Sequence, residues 1–590
     1  MLKIFKNFTK KDILIILFVI SLVLFSVFLD LRLPEYMSEI TKLVQTEDST
    51  LNDILTAGSK MLICSVASLI CTICIGYFTS LLSANFSKNI RRKIFLKVES
   101  FGIAEIKKFQ TSSLITRTTN DVTQIEMLLS MGLQLMIKAP VMAVWALLKI
   151  LGKSAELSII TGIGVVVIVC TNLFIISRVT PRFKKMQKLI DKVNGVTREN
   201  LTGIRVIRAF NAEKFQEDRF ESVNKDLTDV QLSNQLTFAI MEPIMRFVMH
   251  FQQLSIYCVG AYIIISLGMV DKINMFSNMV VFSSYGMQVI VSFLMLTMIF
   301  MIIPRVQVSI NRINEVLDSD ISVVSGEFDG NTEEKGTVEF KNVSFKYPDA
   351  DEYILKDISF KVNQGETIAF IGSTGSGKST LINLVPRLYD VTEGEILVDG
   401  VNVKEYKLSA LNNKIGYIPQ KAVLFTGNVE ENVAYGDNGR GKPTLKKVKE
   451  AIKVAQAKEF VEKMNDKYQA HIARGGTNVS GGQKQRLSIA RAIARDPEIY
   501  IFDDSFSALD YKTDSILRHE LKEYTKDATS MIVAQRIGTI MYADKIVVLD
   551  KGNCVGIGTH KELLKSCKVY KEIALSQLSE KELAGGDNNA

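Results

Sequence analysis

Long apolar segments in the first 303 residues constrain this chain of 590 residues more than any other feature. A helix needs about 20 predominantly apolar residues to cross the hydrocarbon layer of a membrane. Residues 13–29, 61–84 and 157–177 have roughly that length and carry no charge, and 273–303 is longer still. We therefore predict six membrane helices, at about 13–32, 58–84, 127–151, 157–178, 239–270 and 273–303.

The third and fifth predicted spans carry ionisable residues within their apolar stretches, namely Lys138, Lys149, Glu242, Arg246 and His250. Such residues are costly in lipid and are candidates for function. In the fifth span, Glu242 and Arg246 stand four residues apart, and an ion pair along the helix is one interpretation. Met241, Met245 and Met249 form a stripe at helical spacing on the same helix. Methionine suits ordinary packing as well as a promiscuous binding surface, so both interpretations stay open.

The charges of the loops predict the orientation of the spans. Residues 32–57 contain two basic and five acidic residues, whereas 87–117 contain eight basic residues. Basic residues are retained on the cytoplasmic side of a membrane, so the second loop is predicted to be cytoplasmic. The basic segment 178–225 and the short connection 152–156 then place both termini in the cytoplasm. The basic N-terminus precedes an apolar segment as in a signal peptide, but it lacks a small-residue cleavage site and predicts an uncleaved first span.

The composition divides the chain into two parts. We predict a membrane domain over 1–316, a linker over 317–336, a nucleotide-binding domain over 337–577 and a flexible tail over 578–590. The net charge of +8 could suggest nucleic acid, but the basic residues cluster beside the apolar segments. We therefore expect contact with membrane lipids and no nucleic-acid partner.

A phosphate-binding loop identifies the second domain as nucleotide-binding. A buried strand, 368–371, is predicted to run into the letters GSTGSGKS and then into a helix. In this context glycines let backbone N–H groups wrap phosphates, the lysine reaches the β- and γ-phosphates, and the last serine faces Mg²⁺. The predicted binding residues are Gly372, Ser373, Thr374, Gly375, Ser376, Gly377, Lys378, Ser379 and Thr380.

The remaining motifs indicate which class of nucleotide-binding protein the second domain resembles. The apolar strand 499–502 ends in Asp503, a carboxylate placed to hold Mg²⁺. Between this strand and the phosphate loop lies VSGGQKQRLSIARA, residues 479–492. This segment resembles the signature sequence of ABC transporter ATPases. The resemblance implies a membrane all-α six-helix exporter domain followed by an α/β phosphate-loop ABC ATPase domain, with ATP and Mg²⁺ as cofactors.

The resemblance also implies roles for other residues. Tyr347 resembles the aromatic residue that stacks on adenine, and Gln420 resembles the glutamine that senses Mg²⁺ and links to the membrane domain. The segment 507–510, which ends in Asp510, resembles the loop that crosses the dimer interface. Residues 111–122 and 198–210 resemble cytoplasmic loops of ABC exporters whose short coupling helices touch the ATPase domains. For these two segments a plain amphipathic helix is the alternative.

Two catalytic positions depart from the family pattern. The residue after the Mg²⁺ aspartate is usually a glutamate that polarises the attacking water, whereas here it is Asp504. A shorter carboxylate lies further from a target that a general base must approach within about 2.6–3.2 Å. The switch-loop histidine is replaced by Gln535, which can donate a hydrogen bond but cannot carry a proton or a charge. Together these changes predict a site that binds ATP well and hydrolyses it poorly.

The signature segment follows the family pattern apart from Val479, which replaces a leucine. In this family each ATP lies between the phosphate loop of one domain and the signature segment of the other. The chain thus resembles the degenerate-site subunit of heterodimeric bacterial multidrug exporters, whose partner is a non-identical half-transporter with the usual glutamate and histidine. The alternative is a homodimer in which Asp504 suffices as base. The signature residues expected to complete the partner's site are Ser480, Gly481, Gly482 and Gln483.

The resemblance implies ATP-driven export of small, amphipathic or hydrophobic compounds across the bacterial plasma membrane, with the ATPase domain in the cytoplasm. A lipid or peptide exporter, or a channel or regulatory subunit gated by ATP, is the alternative. The sequence does not identify the transported compound.

Overall fold

The computed structural model describes residues 8–46, 49–151, 154–265, 268–436 and 438–578. The chain forms two compact units: the first contains 1–98 and 112–319, and the second contains 99–111 and 320–590. The first seven residues, residues 152–153 of the predicted short connection, residues 266–267 of the fifth predicted span and residues 579–590 of the predicted tail lie outside the described residues.

The described part of the first unit consists of helices joined by short turns. It begins with Thr9, which caps the first helix through reciprocal hydrogen bonds with Asp12. A π-helical turn, Leu128–Gly132, interrupts the third predicted span. The helices are α1 (Lys10–Gln45), α2 (Leu51–Glu99), α3 (Ile103–Phe109, assigned to the second unit), α4 (Thr111–Thr118), α5 (Asn120–Met127), α6 (Leu133–Ile150), α7 (Ala155–Ala209), α8 (Glu213–Ala239), α9 (Met241–Ile265) and α10 (Met269–Leu317).

Within the described residues, six helical segments are long and apolar enough to cross a membrane, which confirms the number of predicted spans. Several of them extend well past the apolar stretch, because polar residues continue the helix beyond the length that a membrane needs. The segments are Lys10–Gln45, Leu51–Glu99, Thr111–Ile150, Ala155–Ala209, Glu213–Ile265 and Asp271–Leu317.

Three basic residues within the predicted spans form ion pairs, namely Lys138, Lys149 and Arg246. Lys138 pairs with Asp30 at 3.0 Å, and Lys149 pairs with Glu35 at 2.7 Å. A charge that is paired in this way costs less in an apolar environment than an isolated one. The predicted ion pair along the fifth span is confirmed, with 2.7 Å between the Arg246 and Glu242 side chains.

The methionine stripe of α9 packs inside the first unit. Met241 and Met245 are buried in a hydrophobic cluster with Ile168 and Ile175 of α7, and Met249 packs against the same cluster. The stripe therefore packs within the unit, and Met241 also borders a cavity, so the binding interpretation stays open for that residue.

The second unit contains a parallel-stranded core that positions the nucleotide motifs. Its main sheet has the strand order β12-β11-β3-β10-β9-β6, and a smaller sheet has the order β2-β1-β4-β5. The strands are β1 (Val338–Phe345), β2 (Leu355–Val362), β3 (Thr367–Gly372), β4 (Glu393–Val398), β5 (Val401–Asn402), β6 (Ile415–Ile418), β7 (Gly427–Asn428), β8 (His471–Ile472), β9 (Ile499–Asp503), β10 (Thr529–Val533), β11 (Lys545–Asp550) and β12 (Asn553–Gly558).

Strands β3, β9 and β10 are parallel, so their carboxyl ends meet at one edge of the sheet. In this register Val533 lies beside Asp503 and Phe370. The helices of the second unit are α11 (Lys378–Leu384), α12 (Leu408–Lys414), α13 (Val429–Val433), α14 (Leu445–Val454), α15 (Lys458–Lys463), α16 (Gly481–Arg495), α17 (Tyr511–Tyr524), α18 (Ile537–Ile540), α19 (His560–Ser566) and α20 (Lys568–Leu575).

The segment predicted as a linker is hydrogen-bonded within the second unit. The backbone N–H groups of Gly326 and Phe328 donate to Tyr406 and Glu405 at 2.9 Å. The short helix α3 belongs to the same unit, where the Glu105 carboxylate accepts from the backbone N–H groups of Gly102 and Ser322. The second unit thus combines a short segment, 99–111, from between the second and third predicted spans with the part of the chain that follows the sixth.

Candidate nucleotide site

The loop between β3 and α11 has the backbone geometry of a phosphate cradle. Gly375 and Gly377 have positive φ angles of 84° and 97°, which residues other than glycine rarely adopt. A Cβ added at Gly377 would lie 2.7 Å from the Leu355 side chain, so close packing also requires glycine here. Residues 373–375 are exposed, and α11 begins immediately afterwards. Backbone N–H groups at such a turn bind anions.

Lys378 lies folded over this loop. Its ammonium group donates to the carbonyl oxygens of Gly372 at 2.9 Å and Ser373 at 2.8 Å. Burial lowers the pKa of Lys378, and the nearby charges of Asp504 and Asp503 oppose that effect. The lysine is therefore positioned where the phosphates of a nucleotide would lie, with two carboxylates near its charge.

A hydroxyl and a carboxylate meet at the predicted metal position. The Ser379 hydroxyl donates to Asp503 Oδ1 at 2.7 Å, which joins the start of α11 to the end of β9. Burial raises the pKa of Asp503, and the hydrogen bond from Ser379 opposes the shift. Hydroxyl and carboxylate oxygens are ligands that Mg²⁺ accepts, so this pair fits the ion.

Asp504, the predicted base, is held by two glutamine side chains. Gln535 donates to Asp504 Oδ2 at 2.8 Å, and Gln420 donates to the same oxygen at 3.3 Å. Asp504 is buried and has a φ of 47°, a strained angle for a residue with a side chain. The structure therefore brings Gln420 to Asp504 rather than to Asp503, and one oxygen of the predicted base already accepts two N–H donors.

Tyr347 belongs to an aromatic cluster beside the phosphate loop. Its hydroxyl shares a hydrogen bond of 2.9 Å with Thr380 Oγ1, and its ring makes edge contacts with Phe345 and Tyr389. The Lys107 ammonium lies 5.1 Å from the centre of the Tyr347 ring, and a hydrogen bond with Tyr389 raises the pKa of Lys107. No sequence pattern predicted this contact, because Lys107 is one of many basic residues in its loop.

The signature segment forms the exposed N-terminus of the 15-residue helix α16. The Ser480 hydroxyl accepts from the backbone N–H of Gln483 at 3.3 Å, and the Gln483 side chain accepts from the Ser480 N–H at 2.9 Å. Gly481 is exposed, and a Cβ added at Gly482 would lie 3.3 Å from the Ala508 carbonyl oxygen. In the part of the chain that the structure describes, no hydrogen bond joins this segment to the phosphate loop.

Asp510, at the end of the predicted interface loop, caps a second helix. Its carboxylate accepts from the Thr513 N–H at the start of α17 at 3.0 Å. This hydrogen bond holds the pKa of Asp510 below its ordinary value. The signature segment and the interface loop thus both place helix N-termini at an exposed surface.

Comparisons with known families and proteins agree with this geometry. Residues 355–507 match the family described as ABC transporter, and residues 13–293 match the ABC transporter transmembrane region. The chain is 38 % identical, over 89 % of both chains, to an uncharacterised ABC transporter ATP-binding protein of Mycobacterium tuberculosis. The chain therefore belongs to the ABC transporter family.

Two other relatives carry more specific names. A protein of Bacillus subtilis whose name proposes multidrug export is 31 % identical over 84 % of both chains. The ATP-dependent lipid A-core flippase of Mannheimia succiniciproducens is 31 % identical over 87 % of this chain and 86 % of its own length.

A solved bacterial exporter of the Atm1 family, with ATP bound, has a similar fold. It matches with a TM-score of 0.78 over 97 % of this chain and 99 % of its own, at 23 % identity. Six candidate membrane helices followed by an ABC ATPase domain form an exporter half-transporter. In this family an ATP-binding domain drives the transport of substrates across the membrane.

Proposed function

We propose that this chain is one half of a heterodimeric exporter in which its own ATP site is degenerate and its signature segment completes the partner's catalytic site. The partner would be a non-identical ABC half-transporter with the usual catalytic glutamate and switch histidine. ATP binding would close the two ATPase domains, and hydrolysis at the partner's phosphate loop would reopen them.

The environment of Asp504 carries this proposal. A general base needs a free lone pair close to the attacking water. Oδ2 of Asp504 accepts hydrogen bonds from Gln535 and Gln420, and the side chain is one methylene shorter than glutamate. The Gln535 amide donates one N–H to this carboxylate, and because the amide is neutral it has no proton to relay. The site keeps the groups that bind ATP and Mg²⁺ and weakens the step that activates water.

The signature segment supports the second half of the proposal. Ser480 and the first N–H groups of α16 are exposed at the end of a helix of 15 residues. Such an end attracts anions through its free N–H groups and its dipole. It would contact the γ-phosphate of ATP held by the partner.

For the transported compound we propose small amphipathic or hydrophobic molecules that leave the bacterial cytoplasm across the plasma membrane. The relative named for multidrug export favours this class. The similarity to the lipid A-core flippase favours lipid transport as a second candidate.

The test is a comparison of ATPase activity. The chain purified alone is expected to hydrolyse ATP slowly, and co-purification with an ABC half-transporter encoded next to it is expected to restore turnover. A matched control is the same pair with the partner's catalytic glutamate replaced by glutamine, which should return the rate to the low level. Vigorous and cooperative turnover by the single chain would contradict the proposal and favour a homodimer.

A further inference from the structure

The membrane unit contains a cavity of about 650 Å³ between α7, α8, α9 and α10. Small-molecule sites usually measure about 300–1,000 Å³. The cavity lies at the ends of the fourth, fifth and sixth predicted spans that are predicted to face the cytoplasm. Its apolar walls are rich in aromatic rings and methionine, and they include Phe183, Met186, Phe238, Met241, Leu294 and Met298.

One wall carries a buried polar group without a partner. Asn234 is only 4 % exposed, and neither its side-chain oxygen nor its side-chain nitrogen has a hydrogen-bond partner among the described residues. Buried amides in folded proteins are almost always hydrogen-bonded, and an unsatisfied one is costly. Because Asn234 lines the cavity, a ligand with a polar group could supply the missing bonds.

The two charged residues that line the cavity, Glu242 and Arg305, differ in their partners. The guanidinium of Arg305 lies 6.0 Å from the centre of the Phe183 ring, and no carboxylate pairs with it in the described part of the chain. Glu242 also lines the cavity, but its carboxylate is bonded to Arg246 at 2.7 Å. Nearby, Arg182 donates to the Ser233 carbonyl and the Thr237 hydroxyl instead of to an acid. Among the charged residues that line the cavity, Glu242 is thus paired with Arg246, and Arg305 is left for an anionic ligand.

We propose that this cavity binds amphipathic anions. The apolar body of the ligand contacts the rings and methionines, its carboxylate, phosphate or sulfonate pairs with Arg305, and the Asn234 amide donates to it. A cationic amphipath meets like charge and is disfavoured. The inference rests on the proposed export function for its biological role, because it names the class of compound that would enter the transport path.

The test is an equilibrium titration on the full chain in nanodiscs of phosphatidylcholine, without nucleotide and without a partner chain. The probes are 11-(dansylamino)undecanoic acid and its primary amide, which share one body and differ in charge. The acid is expected to bind on the order of tenfold more tightly than the amide, since hydrogen bonds to charged groups are the stronger ones. Equal affinities would overturn the proposal.

Arg305→Gln is expected to remove the preference for the acid. The matched control is Arg178→Gln, because Arg178 also lies over a phenylalanine ring, Phe174, at 5.5 Å but does not line the cavity. The control should keep the preference. If both variants lose it equally, general surface charge explains the binding and the proposal is wrong.

Asn234→Leu is expected to weaken both probes while the melting temperature stays the same or rises, because the variant removes an unsatisfied buried amide. Unchanged affinity for both probes would mean that Asn234 meets no ligand, which contradicts the proposal. Replacing part of the phosphatidylcholine by phosphatidylglycerol distinguishes the source of the anion: displacement of the acid identifies a membrane lipid, and retention identifies a free compound. Since this titration needs neither hydrolysis nor a partner, its failure is separate from failure of the heterodimer test.

Discussion

In the phosphate site, Ser379 and Asp504 are hydrogen-bonded to side chains from other segments of the second unit, whereas in the signature segment Ser480 and Gln483 are hydrogen-bonded to each other. Both carboxylates of the phosphate site are buried, while Ser480 is exposed. The hydrogen bonds of the first region therefore lie within the chain itself. The second holds its own helix end in place and offers that end to something outside the unit.

Defects in the two regions therefore have different consequences. A defect in the phosphate site alters contacts within one chain, and Asp504 with its two glutamines is such a defect by our proposal. A defect in the signature segment leaves the chain's own contacts nearly intact. By our proposal it would slow hydrolysis of the ATP that the partner binds. The two regions can therefore be separated by substitutions that leave the fold unchanged.

The largest effect is expected from Ser480→Phe in the assembled pair. A bulky side chain would block the exposed end of α16 and remove a hydroxyl donor aimed at the developing charge. Loss of one preorganised donor costs on the order of 10²–10³ in rate. Steady-state ATPase activity of the pair should fall by about that factor, while nucleotide binding to this chain's own phosphate loop stays unchanged.

A matched control for that substitution exists in the same unit. Thr559 caps α19 through a capping box with Glu562, the same arrangement that Ser480 forms with Gln483. Thr559→Phe should cost about 1 kcal/mol in stability through the lost cap and leave turnover nearly intact. Equal loss of activity in both variants would mean that the cap, and not the phosphate contact, matters at Ser480.

A smaller effect is expected from Lys378→Ala, which tests the self-contained region. The lysine supplies charge-assisted hydrogen bonds to the phosphates, each worth about 1.5–3 kcal/mol. Equilibrium titration of the single chain with a fluorescent ATP analogue should show affinity weakened by roughly 10- to 100-fold. Lys341→Ala is the control, because Lys341 forms an exposed ion pair with Glu395 on β4. Unchanged affinity in Lys378→Ala would remove the phosphate-site assignment.

The sequence predicted the part of the site that local rules determine. A buried strand followed by a glycine loop and a helix determines the position of Lys378, and parallel strands that end at one edge bring Asp503 to Ser379. The contacts of Asp504 were not predicted, since Gln535 and Gln420 lie 31 and 84 residues away in sequence and the hydrogen bonds depend on side-chain conformation. The contact of Lys107 with Tyr347 escaped prediction for the same reason.

In the membrane unit, hydropathy predicted the number of membrane spans, and several helices continue beyond the predicted spans. The fourth span was predicted at 157–178, whereas α7 runs over Ala155–Ala209. Apolar residues mark only the part of a helix that lies in lipid, and the polar continuation leaves no hydropathy signal. The cavity around Asn234 could not be predicted either, because it depends on how four helices pack against one another.

The smallest effect on turnover is expected from lengthening the side chain of Asp504. In the assembled pair, Asp504→Glu alone should change turnover by less than about tenfold, well below the 10²–10⁴ that a working general base contributes. Because Gln535 Nε2 lies 2.8 Å from Asp504 Oδ2, the double variant with Gln535→His should exceed the product of the single effects by at least about twofold, as expected for residues in contact. Asp496→Glu is the control for lengthening an aspartate side chain on a left-handed backbone. Asp496 has a φ of 53°, close to that of Asp504, but it lies at the end of α16. Turnover that falls further in Asp504→Ala than in Ser480→Phe would contradict the degenerate-site proposal, because this chain's own phosphate site would then be the catalytic one.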